Sequence, residues 1–190
     1  MSDLNEHSQF LSIDEYAAVE RASMARCGNA EIAAFGPVVF NQQAFPHTVR
    51  DEQEIVRYVD TMHDKVADQF FTSDYKISET ELALIKRIQD CIRDLTTEHF
   101  GRPVVPILAP LWALKTFRAV SEISRLHGDK PLKIVEFGPG SGYLSLLLGL
   151  SGHQYICADI TQAMYLWQNR IYCRLFGDNF AELALDGDGK

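Results

Sequence analysis

The residues best suited to chemistry lie in the last third of the chain. The run Leu132-Lys133-Ile134-Val135-Glu136-Phe137 is apolar and β-branched and carries an acid near its end. The turn Gly138-Pro139-Gly140-Ser141-Gly142 follows, and a second apolar run starts at Tyr143. This order predicts a buried strand, a tight turn and a helix. Asp159 closes a further apolar run, Gln154-Tyr155-Ile156-Cys157-Ala158. Glycines accept positive φ and leave no Cβ between backbone and ligand. A helix starting near Gly142 points free N–H groups and a partial positive charge at the turn, which suits a carboxylate. An acid ending a second parallel strand can accept both vicinal hydroxyls of a ribose. The chemistry these types support is the holding of a nucleoside joined to an amino acid.

The spacing separates two cofactors. A dinucleotide turn reads G-x-G-x-x-G/A, its third small residue allowing close helix–strand packing. Counted from Gly138, that third position is Tyr143, which is large. The pattern actually present, Glu136-x-Gly138-x-Gly140-x-Gly142, resembles the first motif of class I S-adenosylmethionine-dependent methyltransferases. The resemblance implies an α/β fold: a helical N-terminal region over residues 1–109, then a Rossmann-like, doubly wound parallel sheet over 110–190. It implies S-adenosylmethionine as cofactor, held by Glu136, Gly138, Pro139, Gly140, Ser141, Gly142, Tyr143, Asp159 and Ile160. Glu136 would lie near the amino-acid part and Asp159 at the ribose. The implied reaction is methyl transfer to a small-molecule acceptor, an oxygen being the first choice. The family's sheet has seven strands, whereas this chain offers two clear ones and a third at Phe180–Leu185. The sheet is expected to be truncated after the second or third strand, or completed by a partner chain. Two other readings remain open: a nicotinamide-dependent oxidoreductase, and a non-catalytic cofactor-binding or structural module.

Composition bounds the partners. The chain has 190 residues, 46% hydrophobic and 23% charged, with a formal net charge of -8. Its longest basic run is Lys86-Arg87, which disfavours a nucleic-acid surface. Cys27, Cys91, Cys157 and Cys173 form no C-x-x-C pair. That suits reduced thiols and a cytoplasmic location better than a disulfide framework or a zinc site. Residues 1–9 are too polar for a signal peptide, and the apolar run Leu144–Leu150 is too short to span a bilayer. A small molecule is the expected partner, with no nucleic acid, no membrane and no metal. Self-association through the helical region or an open sheet edge is the further expectation.

The elements that must position the turn are read from periodicity and caps. Ser12-x-x-Glu15 predicts a capped helix to about Cys27, stopped by Gly28. A second helix is expected over about 51–71, with Ile55, Val59, Met62, Val66 and Phe70 on one stripe. A third starts at Ser78 with Glu81 in the capping box, buries Ile85, Ile88, Ile92 and Leu95, and stops at Gly101. The prolines at 103, 106 and 110 predict an extended connector. Pro110 then opens a helix over 111–126 that buries Leu114, Phe117, Val120 or Ser121, and Leu126. A last helix covers 161–176 with Met164, Trp167, Ile171 and Leu175 in its core stripe. Cys157 is expected in a buried strand.

The remaining candidates read as structural. His47 sits in a loop and could act as a base, but a surface histidine is the plainer reading, and no catalytic base is assigned. His63 reads as solvent-facing, His99 and His127 as helix C-terminal residues, and His153 as lying away from the glycine turn. Trp112 reads as core before pocket lining. Tyr143 suits packing and the edge of a cofactor pocket equally. Asp186 and Asp188 lack the further ligands of a calcium loop.

Overall fold

The computed structural model describes residues 10–26, 49–55, 76–159 and 161–184. These form helices α1 (Ile13–Met24), α2 (Glu79–Phe100), α3 (Leu108–Leu126), α4 (Tyr143–Leu150) and α5 (Gln162–Phe176). Two strands accompany them, β1 (Lys133–Phe137) and β2 (Gln154–Ala158), and a 3-10 turn covers Gly177–Asn179. The architecture is mixed α/β and rich in helix. Contacts group the chain into two compact units, Met1–Tyr58 with Thr161–Lys190, and Val59–Ile160.

In the second unit, α2 starts as its sequence dictates. Ser78 Oγ accepts from Glu81 N, and Glu81 Oε2 accepts from Ser78 N at 2.8 Å. Ile85, Ile88, Ile92 and Leu95 are buried, at 4% exposure or less. Gly101 caps the C-terminus in the left-handed region, and its N–H reaches Thr97 O. The proline-rich connector is tied back to this helix. Val104 N donates to Thr96 Oγ1 (2.8 Å), and Gln89 Nε2 donates to Pro106 O (2.8 Å). Helix α3 starts at Leu108, before the expected position, with Pro110 inside its first turn. The first N–H groups of a helix have no intrahelical acceptor, so a proline there removes no bond. Leu114 and Phe117 are buried as expected, whereas Leu126 is 69% exposed and Trp112 42% exposed. Leu126 belongs to the terminal turn, past the stretch that packs, and Trp112 is no core residue.

Strands β1 and β2 pair in parallel, with Val135 opposite Ile156 and Glu136 opposite Cys157. The connection between them is α4, which packs on β2 and on α2 and α3. Side chains alternate across the sheet. Ile134, Glu136, Tyr155 and Cys157 are half-buried, while Val135, Phe137 and Ile156 are 60%, 83% and 55% exposed. The expectation of fully buried strands is corrected here. An apolar run does not reveal that one face lacks a cover among the described residues.

The first unit is organised by α5. Ser12 caps α1 reciprocally with Glu15, as its motif predicts: Glu15 N donates to Ser12 Oγ, and Ser12 N to Glu15 Oε2. Helix α1 contacts α5. Met164, Trp167 and Ile171 are buried in α5, and Leu175 is half-buried. Gln162, Gln168, Asn169 and Arg170 are buried as well. The third strand expected at Phe180–Leu185 is not formed among the described residues. Phe180 is extended, no ladder forms over Phe180–Glu182, and a turn follows at 183–184. Tyr165 Oη donates to Glu182 Oε1 (2.6 Å) and Asn169 Nδ2 to Glu182 Oε2 (2.8 Å), so Glu182 is held on the helix. Residues 52–55 are helical; the rest of the helix expected over 51–71, and Cys27 and Gly28, lie outside the described residues.

Candidate functional site: the glycine turn between two parallel strands

The turn leaves β1 at its C-terminal end, where β2 ends too. Gly138 N donates to Ala158 O (2.8 Å), which extends the ladder one residue beyond the strands. The backbone then takes left-handed conformations at all three glycines, with φ of 70° at Gly138, 59° at Gly140 and 77° at Gly142. A non-glycine residue rarely adopts this region. Gly142 N donates to Pro139 O (3.1 Å) and closes the turn. Gly142 is also the N-cap of α4, and no side chain caps this end. Its carbonyl accepts from Leu146 N (3.1 Å) and from Ser145 Oγ (2.5 Å).

Asp159 follows β2 directly and reaches across to the turn. Gly140 N donates to Asp159 Oδ2 at 3.2 Å. The glycine turn and the strand-end acid are thus joined by a hydrogen bond. A Cβ built on Gly138 or Gly140 would meet no atom within 4 Å, so the space beside both residues is open to a ligand.

Glu136 completes the group. It is half-buried, and its Oε2 has no hydrogen-bond partner among the described residues. Burial raises its carboxyl above the usual range, and the nearby charge of Asp159 adds to the shift. A carboxylate deprived of water and of a donor favours its protonated form, or a ligand that supplies a donor or positive charge. Tyr155 Oη, from the same sheet face, is a second buried polar atom without a partner.

Of the other expected site residues, Pro139 and Ser141 are half-buried within the turn. Tyr143 is 4% exposed, and burial holds its phenol well above its ordinary pKa. Ile160 lies outside the described residues, as do His47 and His63. His153 is elsewhere: its Nδ1 accepts from Leu132 N (3.1 Å) at the opposite end of the strands. Sequence reasoning missed the direct Gly140–Asp159 bond and the Ser145 hydroxyl that secures the Gly142 carbonyl. A serine three residues beyond a helix-opening glycine was the available signal for the latter.

No family model, no curated protein and no solved structure matches this chain. What fold and site define is the class: a helix-rich mixed α/β protein with a small parallel sheet and a glycine turn at its C-terminal end. No helix among the described residues is long and apolar enough to cross a membrane.

Proposed function

We propose that the chain binds S-adenosylmethionine in a Rossmann-like arrangement of the methyltransferase type and serves methyl transfer to a small molecule, an oxygen acceptor first. The observation that carries this reading is the Gly140–Asp159 bond across a turn of three left-handed glycines. It supports a pocket with open backbone on one side and a ribose acceptor on the other. The residues fit the cofactor in two further respects. The cradle beside Gly138 and Gly140 has room that a Cβ would fill, and the orphaned Glu136 Oε2 calls for a donor such as an ammonium group. S-adenosylmethionine supplies an electrophilic sulfonium methyl, and S-adenosylhomocysteine is what remains after transfer. The chain's part is binding and orientation, from which much of the rate enhancement of such a transfer can come. Glu136, Gly138, Pro139, Gly140, Ser141, Gly142 and Tyr143 form the loop side of the proposed site, with Asp159 on the strand side.

Tyr143 weighs against a nicotinamide cofactor, since a buried tyrosine fills the position where a dinucleotide turn needs a small residue. A cofactor-binding module without turnover is the second reading, favoured by the two-stranded sheet with one exposed apolar face. Calorimetric titration with S-adenosylmethionine, S-adenosylhomocysteine and NAD tests both. Heat with the first two and none with NAD is expected, and tighter NAD binding refutes the proposal. Binding without methyl transfer to any small acceptor supports the second reading.

A further inference from the structure

Helix α3, within the second unit, has two faces. Pro110, Leu114, Phe117 and Ser124 are buried and turn one side of it inward. On the opposite side run Trp112, Thr116, Ala119, Ile123 and Leu126, in alternating steps of four and three residues. That is the spacing of a coiled-coil seam, which aims one narrow stripe at a second helix. Every residue of the stripe is exposed, Ile123 at 48% and Leu126 at 69%. Single apolar residues on a surface are ordinary, but a stripe in seam register is a surface shaped for a helix.

The charges beside the stripe say which helix. Lys115 and Glu122 lie on the same flank of it, and both are exposed. Glu122 is paired with Arg125 at 2.6 Å, yet its side chain stays 56% exposed, and a carboxylate has about four acceptor positions, enough for a further donor. In an antiparallel pair about a two-fold axis, each flank meets the same flank of the partner and the order along the seam reverses. An axis near Ala119 therefore sets Lys115 of each chain against the partner's Glu122, and symmetry makes the match twice. The small Ala119 lets the helices approach closely at the centre. A parallel pair would oppose Lys115 to Val120 instead, with no charge to meet it. We propose that this face of α3 is a self-association surface, on which a second copy of the chain seats its own α3 antiparallel. The seam is short, so the dimer is expected to form in the micromolar range and to weaken with salt. The contact is independent of the cofactor reading.

Sedimentation equilibrium of the full chain over a concentration series reads the contact, and a monomer–dimer equilibrium is expected. Ile123→Glu changes an exposed residue, so the fold should survive, as circular dichroism checks; self-association should weaken about a hundredfold, because symmetry repeats the change at the seam. Lys115→Glu and Glu122→Lys each turn two attractions into two repulsions and should weaken it about tenfold. Mixing those two variants in equal amounts decides the arrangement. Position 115 of each then meets the opposite sign at position 122 of the other, so the mixture should associate about as tightly as the wild type. Loss of the Arg125 pair in Glu122→Lys acts within one chain and cannot produce that rescue. A mixture no tighter than its components overturns the proposal, as does a chain that stays monomeric throughout the series. Association lost in Phe137→Ser but kept in Ile123→Glu also overturns it, by assigning the contact to the exposed sheet face.

Discussion

Replacing Asp159 separates its effect on the ligand from its effect on the neighbouring acid. Its carboxylate accepts from Gly140 N at 3.2 Å and raises the Glu136 carboxyl. A carboxylate offers about four acceptor positions, so the Gly140 bond is compatible with further donors from a ribose. Hydrogen bonds to a charged group contribute roughly 1.5–3 kcal/mol each. Asp159→Ala should therefore weaken S-adenosylhomocysteine binding about 10- to 100-fold, and Asp159→Asn, which keeps an acceptor, should weaken it less. The second readout needs no ligand. Burial is the larger cause of the Glu136 shift and Asp159 the smaller. In both variants the Glu136 pKa should fall yet stay above its ordinary value. The sign for stability follows. A carboxyl whose folded pKa is raised contributes stability that is complete below its unfolded pKa and is lost as pH rises through the folded one. The wild type should therefore lose Glu136's contribution above that range, and the variants should lose it at lower pH. Carboxyl-carbon NMR titration and calorimetry provide the assays. A Glu136 pKa unchanged in Asp159→Asn would refute the pairing of the two acids. Unchanged affinity in both variants would place Asp159 outside the ribose site.

Four further outcomes are expected. Gly140→Val should abolish detectable cofactor binding while the chain still folds: its Cβ meets no protein atom, so the harm is occupancy of the ligand's space and a strained φ of 59°, costing about 1–3 kcal/mol; circular dichroism and calorimetry check both parts. Glu81, bound through both carboxylate oxygens to Arg118, is held down from 4.5 to about 2. Its contribution is present above 4.5 and should fade as pH falls toward 2; Glu81→Gln should cost about 1–2 kcal/mol at neutral pH, discounted for the exposure of Arg118, and should flatten that limb of the pH–stability curve in urea titrations. Leu147→Ala, at a fully buried site, should cost about 2–5 kcal/mol, whereas Phe137→Ser, at 83% exposure, should change stability by no more than about 0.5 kcal/mol; denaturant melts that rank them otherwise would mean that the exposed sheet face is covered in solution. Burial pushes the Cys173 thiol up to about 12, so it should resist alkylation at pH 8 in the native chain and react once unfolded, as mass spectrometry of labelled peptides would show.

Local signals in the sequence carried far along this chain. The capping boxes at Ser12 and Ser78 and the glycine stop at Gly101 act between neighbours in sequence, and each stands where its residues place it. The isoleucine stripe of α2 was legible because a helix buries one face with a fixed period. The turn and its acid were legible for a related reason: left-handed backbone demands glycine, and the ends of two parallel strands joined by one helix must lie side by side. Other features depend on what packs against what. The run Lys133–Phe137 reads the same whether a second layer covers it or not, and only the structure leaves Val135 and Phe137 open. A strand was expected over Phe180–Leu185, but Glu182 within it is claimed by Tyr165 and Asn169 of α5. Arg170 and Asn169 lie outside the core stripe expected for that helix. They are buried because Leu11 and Glu52, more than a hundred residues away in sequence, supply their partners. A polar side chain is buried where its hydrogen bonds are met, and partners that distant are chosen by the tertiary fold, beyond the reach of any local pattern.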